Sequence, residues 1–403
     1  MNVIGIVAEY NPFHFGHNYH IIKSKEQLGE DSIIVCAMSG DFVQRGEAAI
    51  YSKFARAEAA ARSGADLVLE LPLPWALSSA ENFARGAVSL LAASGATHLS
   101  FGSESGNIEE LDKLAELLCS SDINERIKAV SAEDATLTYA AARQQVLSEA
   151  IGESAALLAQ PNNILAVEYL KAIKTLNLQI KPITVCRKGA GHDEQGNSSV
   201  PSAMEIRRRI INGEITDGMI PESAATIYNI ERKLGREQKE RERIELAVLS
   251  RLRMLPREVY EALPDASNGV GKRLYDAAMT EPSLDAVLAA SKTKRYAMSR
   301  MRRMCMCAAL GVTAEMTSGT PPYIRVLAAT KRGCELLRKL NDNENGLPVI
   351  TKPAAVKTMT DRCRDVFAVG ASAHDLYVLG YTAEQERKGG GDWKTSPKIV
   401  NNV

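Results

Sequence analysis

Val3-Ile4-Gly5-Ile6-Val7, a short apolar run rich in β-branched residues, leads through Ala8-Glu9-Tyr10-Asn11-Pro12-Phe13 into His14-Phe15-Gly16-His17. A run of this length, closed by polar residues, reads as a strand buried on both faces. Pro12 fixes a turn before a helix that opens near Gly16. Two imidazoles are thereby placed at a helix N-terminus. Free N–H groups and the positive dipole end attract phosphate there, and the histidines can donate hydrogen bonds to oxygens that gain charge as pyrophosphate leaves. A side chain at position 16 would obstruct a nucleotide approaching the helix. The plain alternative is a pair of surface histidines on an ordinary first helix. Against it, two of only six histidines fall in this motif, with His20 close by, in the strand-then-helix setting that such chemistry needs. His14 and His17 are therefore the candidate catalytic residues, for attack on the α-phosphate of a nucleotide.

Outward from this motif, strand and helix alternate. Ser32 to Met38, Ala65 to Leu71, Thr97 to Phe101 and Gln179 to Val185 read as further strands. Ser52 to Ser63 and Ser78 to Ala93 read as helices stopped by glycine. Strand, helix, strand in this order predicts an α/β fold: a doubly wound parallel sheet, Rossmann-like, whose ligands lie at the carboxyl ends of the strands. Glu9 to His17, Ser39-Gly40-Asp41, Gly102 to Glu104 and Arg187 to His192 all fall at such ends. From about Ser202 the pattern turns helical and arginine-rich, interrupted by strand-like pieces at Tyr323 to Leu327 and Leu347 to Thr351. The expected domains are residues 1–200, a nucleotide-binding catalytic unit, and 201–403, a mostly α-helical unit with a mobile tail from about 388.

The chain's 403 residues exceed what one core usually supports, which agrees with two units. With 49 basic and 49 acidic side chains, a polyanion must be met by a local patch rather than by net charge. Lys292, Lys294, Arg295, Arg300, Arg302 and Arg303 gather around Tyr296, and Arg207 to Arg209 form a second group. No run of about 18 apolar residues occurs and the start lacks a basic leader, so no membrane span and a cytoplasmic location are expected. Seven scattered cysteines read as reduced core fillers, including Cys305-Met306-Cys307, and no zinc site is expected.

The stretch Gly5 to His17 resembles the opening of the bacterial tRNA(Met) cytidine acetate ligase family, within the nucleotidyltransferase superfamily. Met38 to Glu47, Gly64 to Pro72, Phe101 to Glu104, Pro161 to Ile164, Arg187 to His192, Tyr323 to Leu327 and Asp375 to Tyr377 follow in that family's order. Phe15 departs from it, standing where the family usually has Asn. The resemblance implies that Val7, Ala8, Glu9, Tyr10, Asn11, Pro12, Phe13, His14, Phe15, Gly16, His17, Asn18, Tyr19 and His20 wrap ATP. It adds nucleotide contacts at Gly102, Asn162 and Arg187. By themselves these three read more readily as a turn glycine, a helix N-cap and a solvated cation.

The same resemblance implies a reaction in which acetate attacks the α-phosphate of ATP and the acetyl-adenylate acylates a cytidine amine in the anticodon of elongator tRNA(Met). The helical unit would then serve tRNA, and no protein partner is expected. Ser202-Ala-Met-Glu-Ile-Arg207 partly matches a phosphate-holding signature of related enzymes, but Ser202 equally fits an N-cap. Asp41, Gln44 and Arg45 are candidates for holding the second substrate, and Glu70 and Glu104 for holding magnesium on the triphosphate. Two other functions share the motif: a small-molecule adenylyl- or cytidylyltransferase, and a non-catalytic tRNA-binding protein with a nucleotide pocket.

Overall fold

The computed structural model describes residues 1–134, 137–187, 201–267, 269–293, 296–342 and 346–401. Parallel strands β1 (Val3–Ala8), β2 (Ile33–Ser39), β3 (Leu67–Leu71), β4 (His98–Ser103) and β5 (Lys181–Cys186) lie in the order β5-β4-β1-β2-β3. Their side chains alternate between two cores. Ile4, Ile6, Ile34, Cys36 and Met38 pack on one face with Ala55, Ala59, Ile206 and Tyr228. Val35, Ala37, Leu69 and Leu71 pack on the other with Phe83, Val88, Leu90 and Tyr169. Burial on both faces is why these strands read as unbroken apolar runs.

Helix α1 (Phe15–Leu28) follows β1, α2 (Lys53–Arg62) follows β2, and α3 (Leu73–Ala76) and α4 (Ala80–Ala93) follow β3. Ser52 and Ser79 cap α2 and α4 by accepting from the Ala55 and Asn82 amides. The chain builds outward from β1 to β3, then crosses to the other side of β1 for β4 and β5. Strand order thus reverses between β1 and β4, which opens a crevice at their carboxyl ends.

The two strand-like pieces late in the sequence join this same sheet instead of interrupting a separate helical unit. Strand β6 (Ile324–Thr330) runs antiparallel to β3 and sets Arg325 opposite Glu70. Strands β7 (Val349–Ile350) and β8 (Lys398–Val400) each pair in parallel with one half of β6. Helices Arg241–Met254, Val270–Thr280, Met298–Leu310 and Asp361–Val378 enclose a further core of Val248, Leu252, Leu274, Met304 and Leu376. Phe42 and Leu77, from the loops after β2 and β3, enter that core and tie the two parts together. Cys305 and Cys307 are buried inside it, and burial pushes both thiols up to about 12, so they remain unreactive fillers. The segment from 388, expected to be mobile, carries Asp392 fully buried between Lys53 and Arg325. Among the described residues no helix is long and apolar enough to cross a membrane.

Candidate active site

Past Ala8 the chain enters a loop held from several sides. The Asn11–Pro12 peptide is cis and Tyr10 has a φ of +46°. The Asn11 side-chain oxygen accepts from the Ile50 amide at 2.8 Å, and the Tyr228 hydroxyl accepts from the Phe13 amide at 2.9 Å. Arg207 donates to the Asn11 carbonyl at 2.6 Å. Arg56, fully buried in α2, donates to the carbonyls of Glu9 at 2.5 Å and Ser39 at 3.2 Å, and also to that of Gly40. One rigid guanidinium therefore locks the ends of β1 and β2 together.

The two histidines cap α1 reciprocally. The Gly16 amide donates to His14 Nδ1 at 3.0 Å, and the His14 amide donates to His17 Nδ1 at 3.3 Å, with ring centroids 3.9 Å apart. Because each Nδ1 accepts, the hydrogen-bond pattern puts the proton on each Nε2, and neither Nε2 has a partner among the described residues. A Cβ at position 16 would lie 2.7 Å from His14 Cε1. Glycine is thus required by the histidine cap itself, a closer cause than the nucleotide clearance inferred from sequence.

Burial, then the nearby Arg187 and Arg207 charges, lowers His14 to about 4. His17 is held well below its ordinary value by burial, His14 and Arg187. His20, bonded to the Ser100 hydroxyl at 2.8 Å, is lowered to about 4 by burial and Arg187. Without a ligand all three are neutral at pH 7, and the capping pair acts as N–H donor rather than as cation. Phe15 is half exposed and its amide is occupied by the Met219 carbonyl at 3.2 Å. Asn18 and Tyr19 lie half-buried in the first turns of α1.

The distant candidates converge. Arg187 extends the β4–β5 pairing and donates to the Asn162 side-chain oxygen at 2.6 Å. Gly102 lets its aliphatic stem cross, since a Cβ there would lie 3.0 Å from Arg187 Cγ. Asn162 is not an N-cap: it sits inside helix Pro161–Thr175, and its amide group donates to Glu104 at 2.6 Å. Ser202 is an N-cap, accepting from the Glu205 amide at 3.2 Å. Residues 188–192 lie outside the described residues.

Other candidates turn inward. Glu70 bonds Lys53 at 2.8 Å and Arg325 at 2.9 Å, and Glu104 accepts from Asn162 and Asn163. Neither expected magnesium ligand is available, and no group of three or more His, Cys, Asp or Glu among the described residues is arranged to hold a metal. Asp41 bonds His374 at 2.8 Å and the Lys53 amide at 2.8 Å, within a buried set that also holds Glu70, Arg325 and Asp392. The cationic stretch is largely engaged as well. Arg302 pairs with Glu47, Arg303 is 9% exposed beside Asp265, and Arg300 stacks on Tyr296 while donating to the Asp265 carbonyl. Arg208 and Arg209 pair with Glu205. Of the expected tRNA contacts there, Lys292 remains exposed, and Lys294 and Arg295 lie outside the described residues.

Sequence reasoning passed over Arg56 and Tyr228, and read Arg207 both as the end of a partial phosphate-holding signature and as part of a basic group for tRNA. The only signal for Arg56 was a cation inside the alanine-rich run Ala55 to Ala61, where an apolar residue would otherwise pack.

Residues 1–392 match the sequence profile described as HIGH Nucleotidyl Transferase. The chain belongs to the tRNA(Met) cytidine acetate ligase family of these transferases. It is 37% identical to the tRNA(Met) cytidine acetate ligase of Syntrophotalea carbinolica, covering 90% of this chain and 87% of that one. It is 36% identical to the ligase of that name from a Thermoanaerobacter species, covering 94% and 96%. A crystal structure of Thermotoga maritima TmcAL bound with alpha-thio ATP superposes with a TM-score of 0.90 at 30% identity, covering all of both chains. The α/β fold with its helical C-terminal region is that of this family.

Proposed function

We propose that this chain is an ATP-dependent ligase that activates acetate as acetyl-adenylate and transfers the acetyl group to N4 of the anticodon wobble cytidine of elongator tRNA(Met). The observation that carries the reading is the pair of neutral Nε2–H donors of His14 and His17, without a partner among the described residues, at the N-terminus of α1, in a chain similar over nearly its whole length to proteins of that name. ATP lies along the loop Val7 to His20, with Gly102, Asn162 and Arg187 at the far side of the crevice. A carboxylate oxygen bonds to the α-phosphorus, the bond to the β-phosphate oxygen breaks, and the electron pair leaves with pyrophosphate. The amine nitrogen then attacks the acyl carbon, AMP leaves, and the amine gives up a proton.

Acetate is ionised at neutral pH and needs no general base. The protein's work is positioning and charge stabilisation: backbone amides and histidine donors on the phosphates, Arg187 across their flank. Among the described residues no group of three or more His, Cys, Asp or Glu is arranged to hold magnesium, so the ion would come chelated by the triphosphate. The site of action is the cytoplasm, where charged tRNA pools and ATP occur.

The test is ATP–pyrophosphate exchange followed by nucleoside mass spectrometry of tRNA(Met). Exchange that requires acetate, with N4-acetylcytidine formed when tRNA is added, is expected. Exchange without acetate would point to a nucleotidyltransferase of small molecules, and none under any condition to a binding protein.

A further inference from the structure

The loop after β2 is a small hairpin with a fixed tip. Phe42 and Ala48 form an antiparallel bridge, the Val43 amide donates to the Glu47 carbonyl at 2.9 Å, and the Gly46 amide donates to the Val43 carbonyl at 2.8 Å. This is a three-residue turn closed by a left-handed glycine, and Gly46 indeed has a φ of +76°. Both flanks of the tip are anchored. On one side the Gln44 amide donates to Glu9 at 2.9 Å and its side chain to the Ser78 carbonyl at 3.0 Å. On the other, a Cβ at Gly46 would lie 2.9 Å from the Arg302 and Arg303 backbone, and Glu47 pairs with Arg302. Between these anchors stands Arg45, exposed and without a hydrogen-bond or ion-pair partner among the described residues.

An unpaired guanidinium on a flexible loop would be ordinary surface. On a tip fixed at Gln44 and Gly46 it is a presented group. Its place in the sheet order gives the direction of presentation. Arg187 follows β5 and its charge acts on His14 and His17 from one flank, whereas Arg45 follows β2 and its charge acts on Glu9 and Arg207 from the other. Displacement at phosphorus needs the nucleophile opposite the leaving pyrophosphate, so the two flanks serve different reactants. On Arg45's flank Glu47 is taken up by Arg302, whereas Glu9 would repel an anionic nucleophile unless a cation received it. A carboxylate's two oxygens match the guanidinium fork.

We propose that Arg45 binds the carboxylate of the acyl substrate and holds it for attack on the α-phosphorus, while Arg187 serves the nucleotide. One carboxylate oxygen stays on the guanidinium, the other forms the bond to phosphorus, and pyrophosphate departs on the Arg187 side. The assignment rests on the ligase reading above.

The test compares wild type, Arg45→Gln and Arg45→Lys in ATP–pyrophosphate exchange without tRNA, varying acetate and ATP separately. Wild type that does not exchange with acetate overturns the ligase reading itself, whatever Arg45 does. Given exchange in wild type, Arg45→Gln should raise KM for acetate roughly ten- to a hundredfold, the loss of one charge-assisted contact. KM for ATP and the melting temperature should hold, and Arg45→Lys should restore part of the acetate affinity. A KM for ATP rising in step would assign Arg45 to the triphosphate and overturn the proposal. So would unchanged exchange kinetics, including the case in which only affinity for tRNA(Met) falls.

Discussion

Two groups of ionisable side chains sit at the carboxyl ends of the parallel strands, one beyond β1 and one around β3, and they are built in opposite ways. The buried set beside β3 holds three acids, Asp41, Glu70 and Asp392, against Lys53, Arg325 and His374, each within hydrogen-bonding distance of an opposite partner. Around the histidine cap stand Arg45, Arg187 and Arg207, with Glu9 and the Arg302-paired Glu47 as their acidic neighbours. The first set balances internally once His374 is protonated, and acts as a brace joining α2, β3, β6, helix Asp361–Val378 and the C-terminal segment. The second carries an excess of positive charge, which an anionic ligand would balance. A buried, perturbed group does not by itself mark a binding site; an unbalanced one does.

The histidines show the same contrast. Burial works against protonation of His374, but Asp41 outweighs it and raises the pKa. At His14, burial and arginines act together and lower it to about 4. These shifts have opposite consequences for stability. His374 contributes fully below its unfolded value of about 6.5 and loses that contribution as pH rises through its folded value. The site histidines stay neutral in the fold, so they cost stability as pH falls from about 6.5 towards their folded values.

The largest expected effect comes from breaking the brace. Asp392→Asn leaves Lys53 and Arg325 buried with one compensating acid fewer, and should cost about 3–5 kcal/mol in urea unfolding. A variant of unchanged stability that had lost exchange activity would place the set in the active site and end the distinction. A smaller effect is expected from His374→Gln. Melting temperatures from pH 6 upwards should fall in wild type as His374 loses its proton and fall less in the variant, while a parallel pair of curves would mean that folding leaves the His374 pKa unshifted. Smallest should be Ser202→Ala, which removes one N-cap bond and costs about 1 kcal/mol with little change in KM for ATP. A large rise in that KM would make Ser202 a phosphate ligand, the alternative left open by the sequence.

Much of this was legible beforehand because its causes are local. Strand β1, the turn at Pro12 and the helix opening at Gly16 follow from residues next to one another, as do the glycine stops of α2 and α4. The convergence of Gly102, Asn162 and Arg187 came through likeness to a family, since each alone reads as an ordinary residue. What was not legible depends on pairing across long separations. Arg325 meets Glu70 only because β6 returns antiparallel to β3, and Asp392 is fixed only because a glycine-rich segment, which composition marks as mobile, ends in a buried ion pair. The arginines of 300–303 looked like a nucleic-acid face for the same reason. Sequence shows their charge but not that Glu47 and Asp265 lie against them.

The central claim is that the capped histidine pair is where the nucleotide reacts. Acetate-dependent ATP–pyrophosphate exchange by His17→Ala, measured beside its melting temperature and its affinity for tRNA(Met), tests this most directly. Exchange should drop by about 100- to 1000-fold, as for loss of one oxyanion donor, while the other two quantities stay near wild type. Exchange retained at the wild-type rate in a folded variant would contradict the assignment.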